Sequence, residues 1–493
     1  MKSFYLGIDV GGTVAKAAVF DGRGTELAVS ARPIPTLHPQ PGFSERDVGQ
    51  MWRAAADSIR EVLSCPGVVA DDIAAVCCTG HGNGIYLVDA AGEPVCNGVV
   101  SSDARSFHLT NELAAHPRAG EFCEIIGQQF RSDMPLALLA WYDRHRPDVS
   151  KSAAHLLLCK DYVRFRLTGR LESDLCDLSG SRLLDLSSGQ YATEVFRGLG
   201  LEHWLDRMPT IRRNTDICGA VTPSAAAETG LSAGTPVAAG MMDLAATTLA
   251  SGVLDDSRFV ICAGTWSINL LVVEQRCSGR LPLMQALHRD GTRFIACEGS
   301  PTSATNLAWM LNSILGGESG YEEVNAMVAR LPPEASALVY LPYLHGGAGA
   351  PRASFVGLGS ECGRSHLLRA LFEGVVFAHK AHIVTLTEVT GHRPKAARLS
   401  GGAARSPVWA QMFADILNME IEVAEGSELG ALGCAICAAV ATGYYEGFET
   451  AVPAMSRVGN RFHPNPSAVP VYEAKFAAFH KVNQALNVVW PHI

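Results

Sequence analysis

Asp243 stands just past an apolar strand, in Ala238-Ala239-Gly240-Met241-Met242-Asp243-Leu244-Ala245, where an Ala-rich helix opens. An acid in that setting has two readings. It can cap the helix by accepting a hydrogen bond from the first turn. It can also serve as a general base at the mouth of a cleft, within reach of a substrate hydroxyl. A second acid, Asp9, ends another apolar run and is followed by Val10-Gly11-Gly12-Thr13. The glycines let backbone N–H groups approach phosphate oxygens, the threonine adds a hydroxyl, and the carboxylate could hold Mg2+ through water. The same residues also make an ordinary hairpin turn. Gly264-Thr265 repeats the arrangement after another strand, and Gly401-Gly402-Ala403-Ala404 follows a third.

Other constellations carry less. No Gly-Lys dipeptide occurs, which removes a Walker loop, and Gly357-x-Gly359 followed by Gly363 lacks G-x-G-x-x-G spacing. Gly230-Leu231-Ser232-Ala233-Gly234 has the G-x-S-x-G form. A nucleophile elbow joins a strand to a following helix, whereas the order here is helix, turn, strand, so an acyl hydrolase built on Ser232 fails. His379-x-x-His382 lacks the Glu and the spacing of a zincin, and Cys434-x-x-Cys437 lies in an apolar helix with no second pair to complete a zinc site. Both read as structural.

Stepping outward to the chain that must position these groups, 48% of the 493 residues are apolar and 18% charged, with 40 basic and 49 acidic side chains giving a net charge of −9. This is a globular composition. Without a Lys/Arg block, the electrostatic footprint of a nucleic-acid binder is missing. The longest apolar run, 429–444, is rich in Gly and Ala and shorter than the roughly 20 residues that a spanning helix needs. It reads as a buried helix, and no membrane is expected as a partner. The apolar stretch at the start is ended by Asp9 and is too short for a signal peptide. Fourteen cysteines are scattered without a framework and read as reduced thiols, so a cytoplasmic protein is expected.

The pattern of strands and helices is that of an α/β protein. Strands are predicted over 4–9, 14–20 and about 26–31, a helix over 46–63, and a strand over 73–78 that ends in Thr79-Gly80-His81-Gly82-Asn83-Gly84. After a polar break near 252–256, strand, Gly-Thr turn, strand recurs at 258–263 and 267–273. The recurrence suggests two related halves, 1–252 and 253–493. Helices are predicted over 303–315, 364–386, 407–417 and 428–442, and a strand over 397–400.

In this order, the pieces resemble the FGGY carbohydrate kinases along nearly the whole chain. Gly7-Ile8-Asp9-Val10-Gly11-Gly12-Thr13 is similar to that family's first phosphate loop. Asp103-Ala104-Arg105 is similar to its Trp-x-Asp-x-Arg segment, with Ser101 in the Trp position. Lys160-Asp161-Tyr162, continuing to Leu167-Thr168-Gly169, resembles its Lys-Asp-Tyr-x-x-x-x-Leu-Thr-Gly stretch, and Gly240-Met241-Met242-Asp243 its catalytic-base motif. Residues 353–358 with 366–373 resemble the family's carboxy-terminal signature, and 400–415 its nucleotide loop with the helix behind it. The resemblance implies two ribonuclease-H-like (actin-type) domains flanking an interdomain cleft, the N-terminal one holding sugar and catalytic base, the C-terminal one ATP. It implies ATP and Mg2+ as cofactors, Asp243 as the base and Asp9 as the group that positions Mg2+. Gly11, Gly12 and Thr13, with Gly264 and Thr265, would cradle the transferred phosphate. Gly401, Gly402 and Ala403 would line the nucleotide pocket, and Gly82, Asn83, Asp103 and Arg105 would face the sugar.

The sugar is narrowed by departures from the family pattern. D-xylulose kinases carry Met-His in the first substrate loop, where this chain has Gly82-Asn83, and Asn after the catalytic Asp, where it has Leu244. Gly264-Thr265-Trp266, Glu298-Gly299-Ser300-Pro301-Thr302-Ser303, Asn306-Leu307-x-Trp309 and the run 39–47 resemble instead the L-xylulose (3-keto-L-gulonate) kinases, although those carry Lys where Asn83 stands. A pentulose such as L-xylulose is the expected substrate. D-xylulose and a polyol such as erythritol are the alternatives, and an actin-like ATPase without sugar is the alternative from another class. A homodimer is left open, since one sequence does not display its exposed faces.

Overall fold

Five of the seven residues of Phe4–Val10 are buried, the mark of a central strand in a sheet covered on both faces. A computed structural model, which describes residues 4–317, 320–344 and 351–492, places it so. Residues 1–3, where the amino-terminal run begins, lie outside the described residues. Strand β1 (Phe4–Val10) pairs antiparallel with β2 (Val14–Asp21), and β2 antiparallel with β3 (Glu26–Pro33). On its other side β1 pairs parallel with β4 (Ile73–Gly80). The antiparallel pair β5 (Ile217–Ala220) and β6 (Pro236–Ala238) completes the sheet in the order β5-β6-β4-β1-β2-β3, with β6 parallel to β4.

The plan recurs. Strand β7 (Arg258–Ala263) pairs antiparallel with β8 (Ser267–Val273) and parallel with β9 (Ala396–Ser400). Parallel β10 (Glu420–Ala424) and antiparallel β11 (Val458–Phe462) follow. A hairpin whose first strand also opens a parallel run is therefore built twice, and the turns at Gly11-Gly12 and Gly264-Thr265 join equivalent strands. The strand, Gly-Thr turn, strand pattern read from the sequence is thus present in both sheets.

The chain resolves into two compact units: Met1–Leu254 with Val272–Ala296 and Gly426–Arg457, and Asp255–Leu271 with Cys297–Glu425 and Val458–Ile493. Six helices bear on the site. The first unit holds α1 (Val48–Leu63), α2 (Leu175–Gly180) and α3 (Asp243–Ala250), the second α4 (Arg364–Thr390) and α5 (Pro407–Leu417), and the first again α6 (Leu429–Ala441). Helix α1 is capped by Asp47, which accepts from the Gln50 N–H, and its apolar face closes a core with Leu6, Ile8, Val19 and Val76. The helix predicted over 303–315 is instead a short α-helix, Thr305–Trp309, running into a π-helical turn, Met310–Ile314. No helix among the described residues is long and apolar enough to cross a membrane.

Helix α6 is the buried helix expected from its composition, and packing explains that composition. A Cβ on Gly433 would sit 2.1 Å from the Ala246 carbonyl oxygen of α3, so the two helices meet backbone to backbone. Cys434 and Cys437 are fully buried here, with Cys437 Sγ 3.2 Å from Asn214 O. His379 sits between Ser303 Oγ and Asn269 Oδ1, and His382 faces Ser300 Oγ. Among the described residues no group of three His, Cys, Asp or Glu is placed to hold a metal. Gly433→Val is expected to lower stability by about 1–3 kcal/mol through overpacking, read as a fall in the thermal midpoint. Gly120→Ala, where a Cβ meets nothing within 4 Å, should be neutral or slightly stabilising. Equal effects of the two would contradict the close approach.

Candidate active site

Four residues after β6 the chain enters α3 with Asp243 as its first residue. Met242 holds the cap position without a side-chain hydrogen bond, and the Asp243 carboxylate accepts from the Leu244 N–H at 2.7 Å. The linking segment is anchored through three consecutive carbonyls. Arg164 Nη1 donates to Ala239 O at 2.5 Å, Asn214 Nδ2 to Gly240 O at 2.8 Å and Thr79 Oγ1 to Met241 O at 2.7 Å.

Arg164 belongs to an ionic network sealed from solvent. Lys160 Nζ lies 2.5 Å from both Asp161 Oδ1 and Asp174 Oδ2 and 3.3 Å from Asp177 Oδ2, and Arg164 Nη1 lies 3.1 Å from Asp161 Oδ1. Charges so deeply buried persist only when paired. Asp174 also caps α2 and accepts from Asn214 Nδ2. The Lys-Asp-Tyr motif is thus the bracket behind Asp243.

Asp9 reaches into space that α6 leaves open. A Cβ on Gly430 would lie 2.3 Å from Asp9 Oδ2, so this position must be glycine for the carboxylate to fit. Burial pushes the Asp9 pKa up to about 6, with Lys16 pulling down and Glu428 pushing up. Lys16 and Glu428 are themselves paired at 2.7 Å. The Asp243 pKa is pushed up to about 7, first by burial and then by the negative charge of Asp9, against the Leu244 N–H. Two like charges in a poorly hydrated corner each disfavour ionisation of the other. A carboxylate poised near neutrality suits a general base.

The surrounding groups prepare this corner. His81 Nε2 lies 3.0 Å from Tyr86 OH and Nδ1 3.2 Å from Gly82 O. Burial, aided by Arg46, pushes its pKa down to about 4, so the ring is neutral at neutral pH. Arg46 is fully buried and donates Nη2 to Gly12 O, which places a positive charge behind the Gly11-Gly12-Thr13 turn. Gly12 and Thr13 are exposed, and a Cβ on Gly12 would meet nothing within 4 Å. Gly82 packs against Met242, the residue before Asp243. Asn83 Oδ1 accepts from Arg182 Nη1 at 3.0 Å, and the Asn83 N–H donates to Ser181 Oγ at 3.1 Å.

Asp103 and Arg105 are engaged within the protein. Asp103 accepts from the Ser44 N–H at 2.7 Å and from Arg105 through both oxygens. Arg105 also donates to Tyr142 OH and Glu45 Oε1, and lies 4.2 Å over the Phe43 ring. Their side chains are 0% and 1% exposed, so they offer no free polar end. Asp9, His81 and Asp243 are not among these partners.

In the second unit, β9 ends against the β7–β8 turn. Gly401 has φ of +85°, and a Cβ there would lie 2.7 Å from the Ala263 carbonyl, so only glycine brings the two loops together. Thr265 is exposed in its turn. Gly402 lines a cavity of about 310 Å³ with Arg405, Ser406, Trp409, Asn325 and Tyr321. Tyr321, 63% exposed, offers an aromatic face there. Ala403 is fully buried and is not among the lining residues, since its methyl group belongs to the core beneath. The sequence reading did not single out Arg46, His81, Arg182 or Tyr321. Arg46 and His81 lie inside runs already singled out for other reasons, whereas Arg182 and Tyr321 carry no local signal.

Comparison with known proteins agrees with this plan. Residues 4–250 match the N-terminal domain, and 259–442 the C-terminal domain, of the FGGY family of carbohydrate kinases. The L-xylulose/3-keto-L-gulonate kinase of Escherichia coli (strain K12) is 32% identical over 492 residues, spanning 99% of this chain and 98% of that protein. A probable L-xylulose kinase of Pasteurella multocida (strain Pm70) is 31% identical, spanning 99% and 100%. The crystal structure of xylulose kinase from Rhodospirillum rubrum superposes with a TM-score of 0.88 at 27% identity, covering 99% of both chains.

An acid whose pKa is higher in the fold than in the unfolded chain stabilises the fold when protonated. That stability is full below about pH 4 and is lost as pH rises through about 7. Asp243→Asn cannot ionise. It is expected to melt above the parent protein at about pH 8, with the difference shrinking toward zero at about pH 4. The same difference at both pH values would contradict the raised pKa.

Proposed function

The chain belongs to the FGGY family of carbohydrate kinases, and on that footing we propose that it transfers the terminal phosphoryl group of ATP to a hydroxyl of a pentulose such as L-xylulose, with Asp243 as general base. The observation that carries the assignment is the Asp243 carboxyl, pushed up to about 7 and anchored through the carbonyls of the three residues 239–241. Two relatives that are L-xylulose kinases by name, matched end to end, support the sugar. The alternative of an actin-like ATPase without sugar is set aside by the family.

In this reading the N-terminal part, 1–252, holds the sugar and the base, and the C-terminal part, 253–493, holds ATP. The sugar hydroxyl gives its proton to Asp243 as its oxygen attacks phosphorus, and ADP leaves. Such a transfer needs alignment and charge neutralisation more than covalent help. Backbone N–H groups of Gly11 and Gly12, the Thr13 hydroxyl and the Gly264-Thr265 turn meet phosphate oxygens. Gly401 and Gly402 border the nucleotide, Ala403 supports them from the core, and Tyr321 gives the base a ring to stack on. Gly82 and Asn83 meet the sugar. Asp103 and Arg105, already saturated, shape its site through Ser44 and Glu45. Asp9, beside the glycine turn, would hold Mg2+, an ion that proteins commonly bind through one or two carboxylates and water. When bound it offsets phosphate charge. None of the fourteen cysteines forms a disulfide, which fits a cytoplasmic setting.

Assay of ADP release over a panel of ketoses, aldoses and polyols is expected to give the highest kcat/KM with L-xylulose. Preference by more than about tenfold, roughly 1.4 kcal/mol, for D-xylulose or erythritol would overturn the sugar assignment. Asp243→Ala is expected to lower kcat by about 100- to 10,000-fold, the usual weight of a general base, while ATP still binds by calorimetry. Normal turnover by this variant would refute the base.

A further inference from the structure

Arg182 is 1% exposed, and its three hydrogen bonds all go to neutral oxygens. Nε donates to Gln129 O at 2.9 Å, Nη1 to Asn83 Oδ1 at 3.0 Å and Nη2 to Leu283 O at 3.2 Å. Sealing a guanidinium from water without a carboxylate in hydrogen-bond contact is costly, and burial pushes its pKa down to about 10, which still leaves it charged at neutral pH. The backbone is unusual at the same place. Asn83 has φ of +58° and Arg182 φ of +65°, both in the left-handed region that residues with side chains seldom enter. They lie in different loops, and each loop holds the other. Arg182 binds the Asn83 side chain, while Ser181 Oγ accepts from the Asn83 N–H. Strain of this kind persists where the surroundings over-determine it, commonly at ligand sites.

A guanidinium only donates hydrogen bonds. The Asn83 atom facing Arg182 is therefore the oxygen, and the carboxamide cannot be turned over without setting two donors against each other. Asn83 Nδ2 has no partner among the described residues and is the end left free. Gly82, next in the loop, packs on Met242 beside Asp243, so this amide lies on a loop that adjoins the base.

We infer that Arg182 is the positioning residue of the sugar loop: it holds the Asn83 carboxamide with Nδ2 outward, so that the loop reads an acceptor oxygen of the substrate, a carbonyl or hydroxyl lone pair, through one oriented donor. The inference rests on the reading that Gly82 and Asn83 meet the sugar.

The test uses the full-length enzyme with its best panel substrate, and reads sugar KM, ATP KM, kcat and the thermal midpoint for four variants. Arg182→Met is expected to raise the sugar KM about tenfold, the loss of roughly one oriented hydrogen bond, with ATP KM unchanged. Arg182→Lys keeps charge and one donor and should recover part of that loss. Asn83→Asp is the decisive variant. It gives Arg182 a carboxylate partner, so the thermal midpoint holds or rises, yet it replaces the outward donor by an acceptor and raises the sugar KM about tenfold or more. An unchanged sugar KM in Asn83→Asp, or equal rises of sugar and ATP KM in Arg182→Met, would overturn the positioning role. An unchanged sugar KM in Asn83→Ala would overturn the sugar-loop reading beneath it. A raised sugar KM in Asn83→Ala with none in Arg182→Met would overturn the positioning role alone.

Discussion

Asp9 and Asp243 repel each other across a corner that water reaches only in part. Raising Asp243 from its ordinary 3.8 to about 7 corresponds to something on the order of 4 kcal/mol at about 1.4 kcal/mol per pKa unit. That is a large share of the roughly 5–15 kcal/mol by which a domain outweighs its unfolded state. Burial supplies the larger part of that shift and the charge of Asp9 the next, and carboxylates on slack loops would relax into water and lose both. Here one sits on a central strand and the other opens a helix whose entry is pinned at three carbonyls, so the repulsion is held in place.

On the proposed division of labour, the two units answer different chemical demands with different means. In the first, buried ionic pairs do the positioning: Lys160, Arg164 and their aspartates hold the segment before Asp243, while Arg46 lies behind the exposed glycine turn. In the second, the means are close backbone approach at Gly401 and a cavity with one exposed aromatic ring. Proton transfer requires a tuned side chain, whereas phosphate and a purine are met well by N–H groups and flat apolar surface.

Much of this was legible in the sequence where the information is local. The Gly-Thr turns marked both hairpins, and motif order led to Asp9 and Asp243. What stayed hidden depends on contacts between distant residues. Arg164 with Ala239, or Gly430 beneath Asp9, leave no period or spacing to read. Asp103 and Arg105 show the same limit from the other side: their types suit a sugar, but only the fold reveals that Ser44, Glu45 and Tyr142 already occupy them. Asp243 as helix cap and as first helical residue differ by one position, and the same residues satisfy both readings until the backbone is seen to place Met242 at the cap.

Helix α6 gives the first unit a timetable. Asp9 is synthesised long before the glycine that makes room for its carboxylate, Gly430. At roughly 5–20 residues per second, the ribosome needs on the order of half a minute or more to join them. Until then the amino-terminal sheet lacks the helix that covers β1 and meets α3. A nascent or truncated chain ending before Gly426 therefore carries both carboxylates without the corner that tunes them, and the raised Asp243 pKa waits on α6.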